Sequence, residues 1–246
     1  MNRNLHQQYY KEYFKGLDFT FLQNNGQAPE GVKNEIKRRN AALCGSNLMA
    51  NMPLPECINS DQCFDLEILY PGLVTGIGIN HEAKIEGEFK LGIHFDWTYG
   101  MPIIYGSSVK GVLRSYFKEF YTQKEGQPNV NDAIDDIFNG GGKSIYQRDI
   151  FFDAVIVRAD RKGRILCSDS ITPHGDNPLK NPVPITFLKI APGCKLQFRF
   201  KLVKTEIVHE GCTKILSAQE KLDIFKDILT TVGIGAKTNV GYGQLK

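Results

Sequence analysis

The sequence predicts an α+β fold with one β-sheet and helices on one of its faces. From Phe64 onward, segments with alternating apolar side chains, typical of half-buried strands, are interspersed with segments whose apolar side chains recur at helical spacing. The stronger elements follow in the order strand, strand, helix, strand, strand, helix, strand. This order suits a ferredoxin-like arrangement, and no short-period repeat or long linker divides the chain.

Residues 1–63 are predicted to be a helical N-terminal extension, and residues 64–246 the ferredoxin-like domain. The first twenty residues have the spacing of an amphipathic helix, whose apolar stripe either this domain or a neighbour must cover. The members of this stripe are Leu5, Tyr9, Tyr10, Tyr13, Phe14 and Leu17. The basic segment from Lys33 to Met49 is a second helix candidate, and residues 51–63 have the composition of a loop.

The strands of the domain are predicted from alternation. Phe64 to Tyr70 alternate between apolar and polar residues, and Leu73 to Ile79 extend this strand or pair with it. Phe89 to Phe95 alternate in the same way and lead into a turn at residues 96–100. Three more strands are predicted, with a proline-rich loop among them: Ile150–Val157, the weaker Arg164–Cys167, and Leu196–Val203.

Helices are predicted where apolar residues follow a 3.6-residue period. Ser107 is expected to cap a helix with the apolar residues Val109, Val112, Leu113, Tyr116, Phe117 and Phe120 on one face. A short helix from Val130 to Phe138 should end at Asn139 and the three glycines that follow. The last helix, Ser217–Val232, leads into a glycine-rich turn and a short closing strand.

Composition excludes several classes of protein. The chain has 246 residues, 41% of them hydrophobic, so it can bury a substantial core. Its six cysteines form no CxxC pair and no secretory signal precedes them, so we expect a cytoplasmic protein without a disulfide framework or zinc cage. No apolar run approaches the roughly 20 residues of a membrane span. A net charge of +3 permits nucleic-acid binding without requiring it. The case for RNA binding therefore depends on where the charged residues lie.

The segment Val232–Gly243 has four glycines in twelve residues, together with Lys237, Thr238, Asn239 and Tyr242. Glycines such as Gly235 allow backbone N–H groups to converge on a phosphate, while the lysine supplies charge and the tyrosine a stacking face. The helix that a P-loop requires after its lysine is missing. An ordinary glycine-rich turn between helix and strand explains the same pattern.

A basic stripe is predicted beside the apolar face of the first domain helix. Lys110, Arg114 and Lys118 recur every fourth residue and therefore share one side of the helix. They lie near its N-terminus, where free N–H groups favour phosphate. A solvated helix face with no ligand is the common alternative.

His174 is the histidine best placed to contact RNA or to act as a general base. It ends the stretch Asp169–His174, which is followed by Asn181–Leu188. No second histidine lies nearby, so structural hydrogen bonding is an alternative role. The remaining histidines lack metal-ligand spacing, and Asp132, Asp135 and Asp136 fit a charged surface, so neither a metal site nor a cofactor is predicted.

Together, three segments resemble motifs of the RAMP superfamily of CRISPR-associated proteins. The first is Ile104–Arg114, with Tyr105 where proline is usual, and the second is the glycine-rich segment Gly233–Gly243. The third is Asp169–His174 with Asn181–Ile185, which is similar to the family of the sixth subunit of type III-B (Cmr) effector complexes. The resemblance covers the chain from about Phe64 to its C-terminus.

This resemblance implies a RAMP fold of the ferredoxin-like, RRM-type kind, in a non-catalytic ribonucleoprotein subunit of antiviral defence. Such a subunit holds guide RNA near its 3′ end and supports target RNA binding, while a different, repeated subunit cuts the target. Its implied partners are guide RNA, target RNA, and the backbone, small and Cmr1-type subunits. The residues implied to bind RNA are Lys110, Arg114, His174, Gly235, Lys237, Thr238, Asn239 and Tyr242.

Two other functions fit the same residues. Related RAMP proteins cut RNA without a metal by activating the 2′-hydroxyl group, so the chain could be a guide-RNA processing endonuclease with His174 as its base. The modest net charge and the aromatic N-terminal helix favour a third function, an architectural subunit that contacts only protein. The first rival predicts RNA cleavage that depends on His174, and the second predicts no loss of RNA when Lys110, Arg114 and Lys237 are removed.

Overall fold

The computed structural model describes residues 4–23, 26–45, 62–76, 83–91, 93–125, 130–172, 184–209 and 212–246. The α-helices are α1 (Leu5–Gln7), α2 (Thr20–Gln23), α3 (Glu30–Gly45), α4 (Gly106–Glu125), α5 (Val130–Ile134) and α6 (Ala218–Val232). Two of them, α1 and α5, continue as π-helical turns at Gln8–Glu12 and Asp135–Asn139. Within these ranges, every helix is too short or too polar to span a lipid bilayer.

The strands form a central sheet, a second sheet and a separate hairpin. They are β1 (Cys63–Glu67), β2 (Phe89–Leu91), β3 (Ile103–Ile104), β4 (Ile150–Phe151), β5 (Ala154–Arg158), β6 (Leu166–Ile171), β7 (Ile185–Ile190), β8 (Lys195–Lys201), β9 (Thr205–His209) and β10 (Cys212–Leu216). The central sheet has the antiparallel order β1-β8-β5-β3, with β4 also paired to β8. The second sheet has the order β2-β7-β6, and β9 pairs with β10.

The central sheet confirms the predicted ferredoxin-like fold. The C-terminal residues lie antiparallel beside β1, where the Glu67 and Lys246 backbones exchange hydrogen bonds of 2.8 and 3.0 Å. In chain order, β1, α4, β5, β8, α6 and this closing segment follow the β-α-β-β-α-β pattern. Helices α4 and α6 pack together, and Phe225 of α6 contacts Phe200 of β8 with ring centroids 5.4 Å apart. One hydrophobic core therefore lies between the helices and the sheet.

Two local predictions in this domain need correction. The predicted strand Ile150–Val157 is divided into β4 and β5. The division lies at Asp153, whose carboxylate accepts a hydrogen bond of 2.7 Å from the Gly106 backbone N–H. Helix α4 begins at Gly106, so Ser107 lies inside its first turn rather than at the cap position. The buried face of α4 runs through Val109, Leu113, Phe117 and Tyr121, while Tyr116 is exposed.

The N-terminal residues pack on this same domain. Leu5, Tyr9 and Tyr13 are buried as the apolar stripe predicted, but the helical part of the segment ends at Glu12. The Tyr13 hydroxyl accepts a hydrogen bond of 3.1 Å from the Phe89 N–H and donates one of 2.5 Å to Asn40 of α3. The apolar stripe is therefore covered by the chain itself.

Several observed strands differ from those predicted by the alternation of apolar and polar residues. The structure forms β7 where a proline-rich loop was predicted, adds the hairpin β9–β10, and extends the weak strand at Arg164–Cys167 into β6. The predicted strand Phe89–Phe95 is reduced to β2, with a single bridge from Phe95 to Pro102 beyond it. In the segment Leu73–Ile79, the described part makes isolated bridges at Leu73 and Val74.

Candidate nucleic-acid interface

The glycine-rich loop between α6 and the closing segment is folded back on itself. The Ile234 N–H donates to the Gly243 carbonyl at 2.9 Å, which joins the two ends of the loop. Gly243 has a φ of 73°, and a Cβ atom there would lie 1.9 Å from the Ile234 carbonyl oxygen. Only glycine fits this close approach of two backbone segments. The loop therefore has a fixed base.

Residues 69–74 hold the loop from its other side. The Leu69 N–H donates to the Gln244 carbonyl at 2.9 Å, and the Gly243 N–H donates to the Gly72 carbonyl at 2.8 Å. Farther along, the Ala236 N–H donates to the Val74 carbonyl at 2.8 Å. A Cβ atom at Gly235, whose φ is 101°, would lie 2.4 Å from the same Val74 oxygen. The backbone of the loop is thus fixed against residues 69–74.

The tip of the loop presents polar residues to solvent. Lys237 adopts a left-handed conformation with φ 62° and ψ 32°, and a 3-10 turn follows at Thr238–Val240. The Lys237 carbonyl accepts hydrogen bonds from the N–H groups of Val240 and Tyr242 at 3.1 and 3.3 Å. Asn239 is exposed, while Lys237 and Thr238 are half-buried. Among the described residues, no carboxylate pairs with the Lys237 ammonium group, so its charge is available to a ligand.

Tyr242 lies inside the protein instead of offering the open stacking face that the sequence indicated. Its side chain is 8% exposed, and its hydroxyl donates to the Asp169 carboxylate at 2.7 Å. The Phe187 ring meets it edge to face with centroids 5.9 Å apart, and the Lys189 ammonium group lies 5.3 Å from its centroid. The buried ring therefore attaches the loop to strands β6 and β7.

The hydrogen bond between Tyr242 and Asp169 connects the glycine-rich segment to the start of the motif Asp169–His174. Burial raises the pKa of this carboxyl group, but hydrogen bonds from Lys189 and Tyr242 outweigh burial and hold the pKa below its ordinary value. Burial, and then the hydrogen bond to Asp169, raise the pKa of Tyr242. At neutral pH, Asp169 is therefore charged and Tyr242 keeps its proton, which is the arrangement of a strong charge-assisted hydrogen bond.

The basic stripe belongs to a different element, α4. Arg114 is exposed, whereas Lys110 is half-buried with its ammonium group 5.9 Å from the centre of the Phe151 ring. The first N–H group of α4, that of Gly106, already bonds the Asp153 carboxylate. A carboxylate thus occupies the helix N-terminus where phosphate was expected, so any phosphate binding by α4 depends on its side chains.

A run of contacts connects α4 to the glycine-rich loop. Val74 pairs with Ala236 of the loop, and the neighbouring Thr75 hydroxyl accepts a hydrogen bond of 2.7 Å from the His94 N–H. The His94 ring packs against Tyr105, the residue before α4, with centroids 4.6 Å apart. Burial lowers the pKa of His94, which fits a neutral packing role. The two basic groups are therefore connected through packed residues, although they occupy separate elements.

The remaining candidates are a histidine outside the described residues and an aromatic residue that the sequence analysis missed. His174 and the residues 181–183 lie outside the described part of the chain. Tyr70, beside the glycine-rich loop, is 85% exposed. The signal that could have identified it is the Tyr-Pro-Gly turn that ends the first strand.

In the described ranges, no group of three His, Cys, Asp or Glu residues is placed to hold a metal ion.

Comparisons with known proteins identify relatives of this arrangement. A model of the RAMP superfamily matches residues 65–246. The CRISPR system CMR subunit Cmr6 of Saccharolobus solfataricus is 29% identical over 158 residues, which cover 63% of this chain and 48% of that protein. The chain thus spans about half the length of this curated relative.

Two solved structures are also similar. One is a chain of the type III-B Cmr-beta complex bound to cognate target RNA, determined by cryo-electron microscopy. It has a TM-score of 0.50 and 22% identity, and the match covers 75% of this chain and 57% of that chain, which shows a shared fold. The other is Cmr6 from Pyrococcus furiosus, with a TM-score of 0.37 and 19% identity over 74% of this chain and 96% of that chain.

Proposed function

This chain belongs to the RAMP superfamily, and we propose that it is a non-catalytic RNA-binding subunit of a type III-B (Cmr) CRISPR effector complex in antiviral defence. In this role it holds guide RNA near the 3′ end and supports the binding of target RNA. Its other partners are the neighbouring subunits of the complex. The names of the relatives support this proposal, since one is a Cmr subunit and another belongs to a Cmr complex with target RNA.

The observation that carries the proposal is the fixed glycine-rich loop with a cationic tip. Its backbone is held at Gly243 and Gly235, so little conformational entropy is lost when a ligand binds the tip. Lys237 supplies a positive charge that no described carboxylate neutralises. These are the properties of a site for a phosphate of the RNA backbone.

The proposal assigns phosphate contacts to both basic groups. Gly235, Lys237, Thr238 and Asn239 bind the backbone at the loop, and Lys110 and Arg114 bind it along α4. Such contacts do not read sequence, so the bases of the guide stay free to pair. Because each contact releases counterions, binding should weaken steeply with salt. His174 is assigned a contact with RNA and no catalytic role.

The test is binding of the full chain to labelled single-stranded RNA across a salt series. Lys237→Ala and Arg114→Ala should each weaken binding and reduce the slope of log affinity against log salt by about 0.7, the value for one phosphate contact to a single strand. Lys226→Ala, which removes an exposed lysine from α6, is the matched control and should change neither quantity.

Two outcomes would contradict the proposal. If the slope is the same in wild type, Lys237→Ala and Arg114→Ala, these residues do not bind phosphate. If the RNA is cut, and His174→Ala still binds RNA but no longer cuts it, the chain is a processing endonuclease of the same superfamily. Intact RNA with salt-sensitive binding is the expected result.

A further inference from the structure

Tyr70 is an exposed aromatic residue on the turn beside the glycine-rich loop. At 85% exposure, its ring is almost fully in solvent. Single exposed aromatic residues are common and need no explanation by themselves. Tyr146, for example, is 82% exposed on the 3-10 turn Ile145–Gln147, and the exposed Trp97 stacks on His6. What distinguishes Tyr70 is the surface beside it.

The turn that carries Tyr70 is fixed on both sides. The Gly72 N–H donates to the Leu69 carbonyl at 2.9 Å and closes the turn. Leu69 and Gly72 are in turn hydrogen-bonded to Gln244 and Gly243, at the base of the glycine-rich loop. A Cβ atom at Gly72 would lie 2.6 Å from the Ile190 carbonyl oxygen, so the turn also rests on β7. The Cα atom of Tyr70 is thus held next to the glycine-rich loop, with its side chain free to meet a ligand.

The turn that carries Tyr70 adjoins the glycine-rich loop. Pro71 packs beside Gly241, where an added Cβ atom would lie 3.8 Å from the Pro71 Cδ atom. The phenol of Tyr70 is close enough to Tyr242 to contribute, after burial and Asp169, to the raised pKa of Tyr242. Val240 and Asn239 of the tip are exposed on the same loop. An exposed aromatic ring therefore lies on the turn that packs against the glycine-rich loop.

We infer that Tyr70 stacks on a nucleobase of the single-stranded RNA whose phosphates the glycine-rich loop binds. This inference rests on the proposed function and adds the residue that holds a base. Stacking tolerates every base because each has a π-face, so it suits a site that binds RNA without reading its sequence. Because the turn that carries the ring is already fixed, stacking requires little further ordering of the backbone. Tyr242, which is buried, cannot take this role.

The experiment uses the full chain and uridine-rich single-stranded RNAs that each carry one 2-aminopurine at a different position. At one position, binding of the wild-type chain should quench the 2-aminopurine fluorescence as that base stacks. Tyr70→Ala should remove this quenching and weaken binding about 5- to 150-fold, the range for loss of one stacked base. Tyr70→Phe should retain both, and Tyr146→Ala, the exposed control, should behave as wild type.

The outcomes separate this inference from the proposed function. If Lys237→Ala weakens binding but Tyr70→Ala changes neither affinity nor fluorescence, Tyr70 does not stack and the loop still binds RNA. If neither variant alters RNA binding, both the inference and the proposed function fail.

Discussion

Gly243 and Gly142 have nearly the same φ angle in very different surroundings. Their φ angles are 73° and 74°, but a Cβ atom at Gly243 would lie 1.9 Å from a carbonyl oxygen, whereas one at Gly142 would meet nothing within 4 Å. Gly142→Ala should therefore destabilise the fold only by the left-handed strain of about 1–2 kcal/mol. Gly243→Ala adds a backbone clash, and we expect a loss of about 2–5 kcal/mol in urea unfolding. Equal losses would show that the loop base is not tightly closed.

The Asp169 carboxylate bonds both Lys189 and Tyr242, and its removal should lower the stability of the fold. In Asp169→Asn, the Lys189 ammonium group, whose side chain is 8% exposed, loses its charged partner. We expect a loss of about 1.5–3 kcal/mol at neutral pH, measured by urea unfolding. Asp223→Asn, an exposed carboxylate on α6, is the control.

The pH dependence of this effect has a defined sign. The folded-state pKa of Asp169 lies below its ordinary value of 3.8, so its ionised form stabilises the folded state above that pH. This contribution is lost as the pH falls through the lowered folded-state pKa. The difference in stability between wild type and Asp169→Asn should therefore be full near about pH 7 and shrink below about pH 4. A difference that stays constant down to about pH 2 would contradict the assignment.

At the scale of single residues, the sequence identified the glycine-rich loop but not the environment of each side chain. Lys237, Thr238 and Asn239 lie near or at the surface because they form the tip of a turn, which local pattern indicates. Tyr242 is buried because Phe187 and Asp169, distant in sequence, surround it. Such contacts depend on tertiary structure, whereas Tyr70 lies on a turn that the local sequence does indicate.

Helix α6 shows how far local signals determine an element. Its start is fixed by a capping box, in which the Ser217 hydroxyl accepts from the Glu220 N–H at 3.2 Å and the Glu220 carboxylate accepts from the Ser217 N–H at 2.7 Å. Ser217→Ala should lower stability by about 1 kcal/mol, or the melting temperature by roughly 2–4 °C. Ser115→Ala, within α4, removes a hydroxyl that caps nothing and should leave the melting temperature nearly unchanged.

Strands were predicted less completely than helices because their partners are distant. Strand β7 is buried over its last four residues, so it lacks alternation, and neighbouring prolines gave it the appearance of a loop. The predicted strand Ile150–Val157 was interrupted by the bond from Gly106 to Asp153, which the local sequence does not reveal. Helices α4 and α6 were found because their periodicity is contained within each segment.

For the whole molecule, an ion pair inside the core connects α6 to the end of the central sheet. The Lys221 ammonium group lies 2.5 Å from Asp149 and donates to the Val203 carbonyl at 2.7 Å, with both charged side chains buried. Lys221→Ala leaves a buried carboxylate without its cation, and we expect a loss of about 3–5 kcal/mol in urea unfolding. Lys226→Ala, on the exposed side of α6, should cost less than about 0.5 kcal/mol. Similar losses in the two variants would exclude a structural role for the pair.

The fold class could be predicted because the order of elements limits the topologies available to a single sheet. The packing of the N-terminal residues could not, since an apolar stripe does not specify what covers it. Here Tyr13 bonds Phe89 and Asn40, so the segment is integrated with the domain. The division of the chain at residues 63 and 64 stays a prediction.

The most direct test of the central claim, that the fixed glycine-rich loop holds RNA, is photochemical crosslinking of the full chain to single-stranded RNA containing 4-thiouridine, with the crosslinked peptides identified by mass spectrometry. We predict crosslinks within residues 234–242 and at Tyr70, with loss of the loop crosslinks in Lys237→Ala at high salt. Crosslinks confined to other surfaces, and unchanged in that variant, would contradict the account.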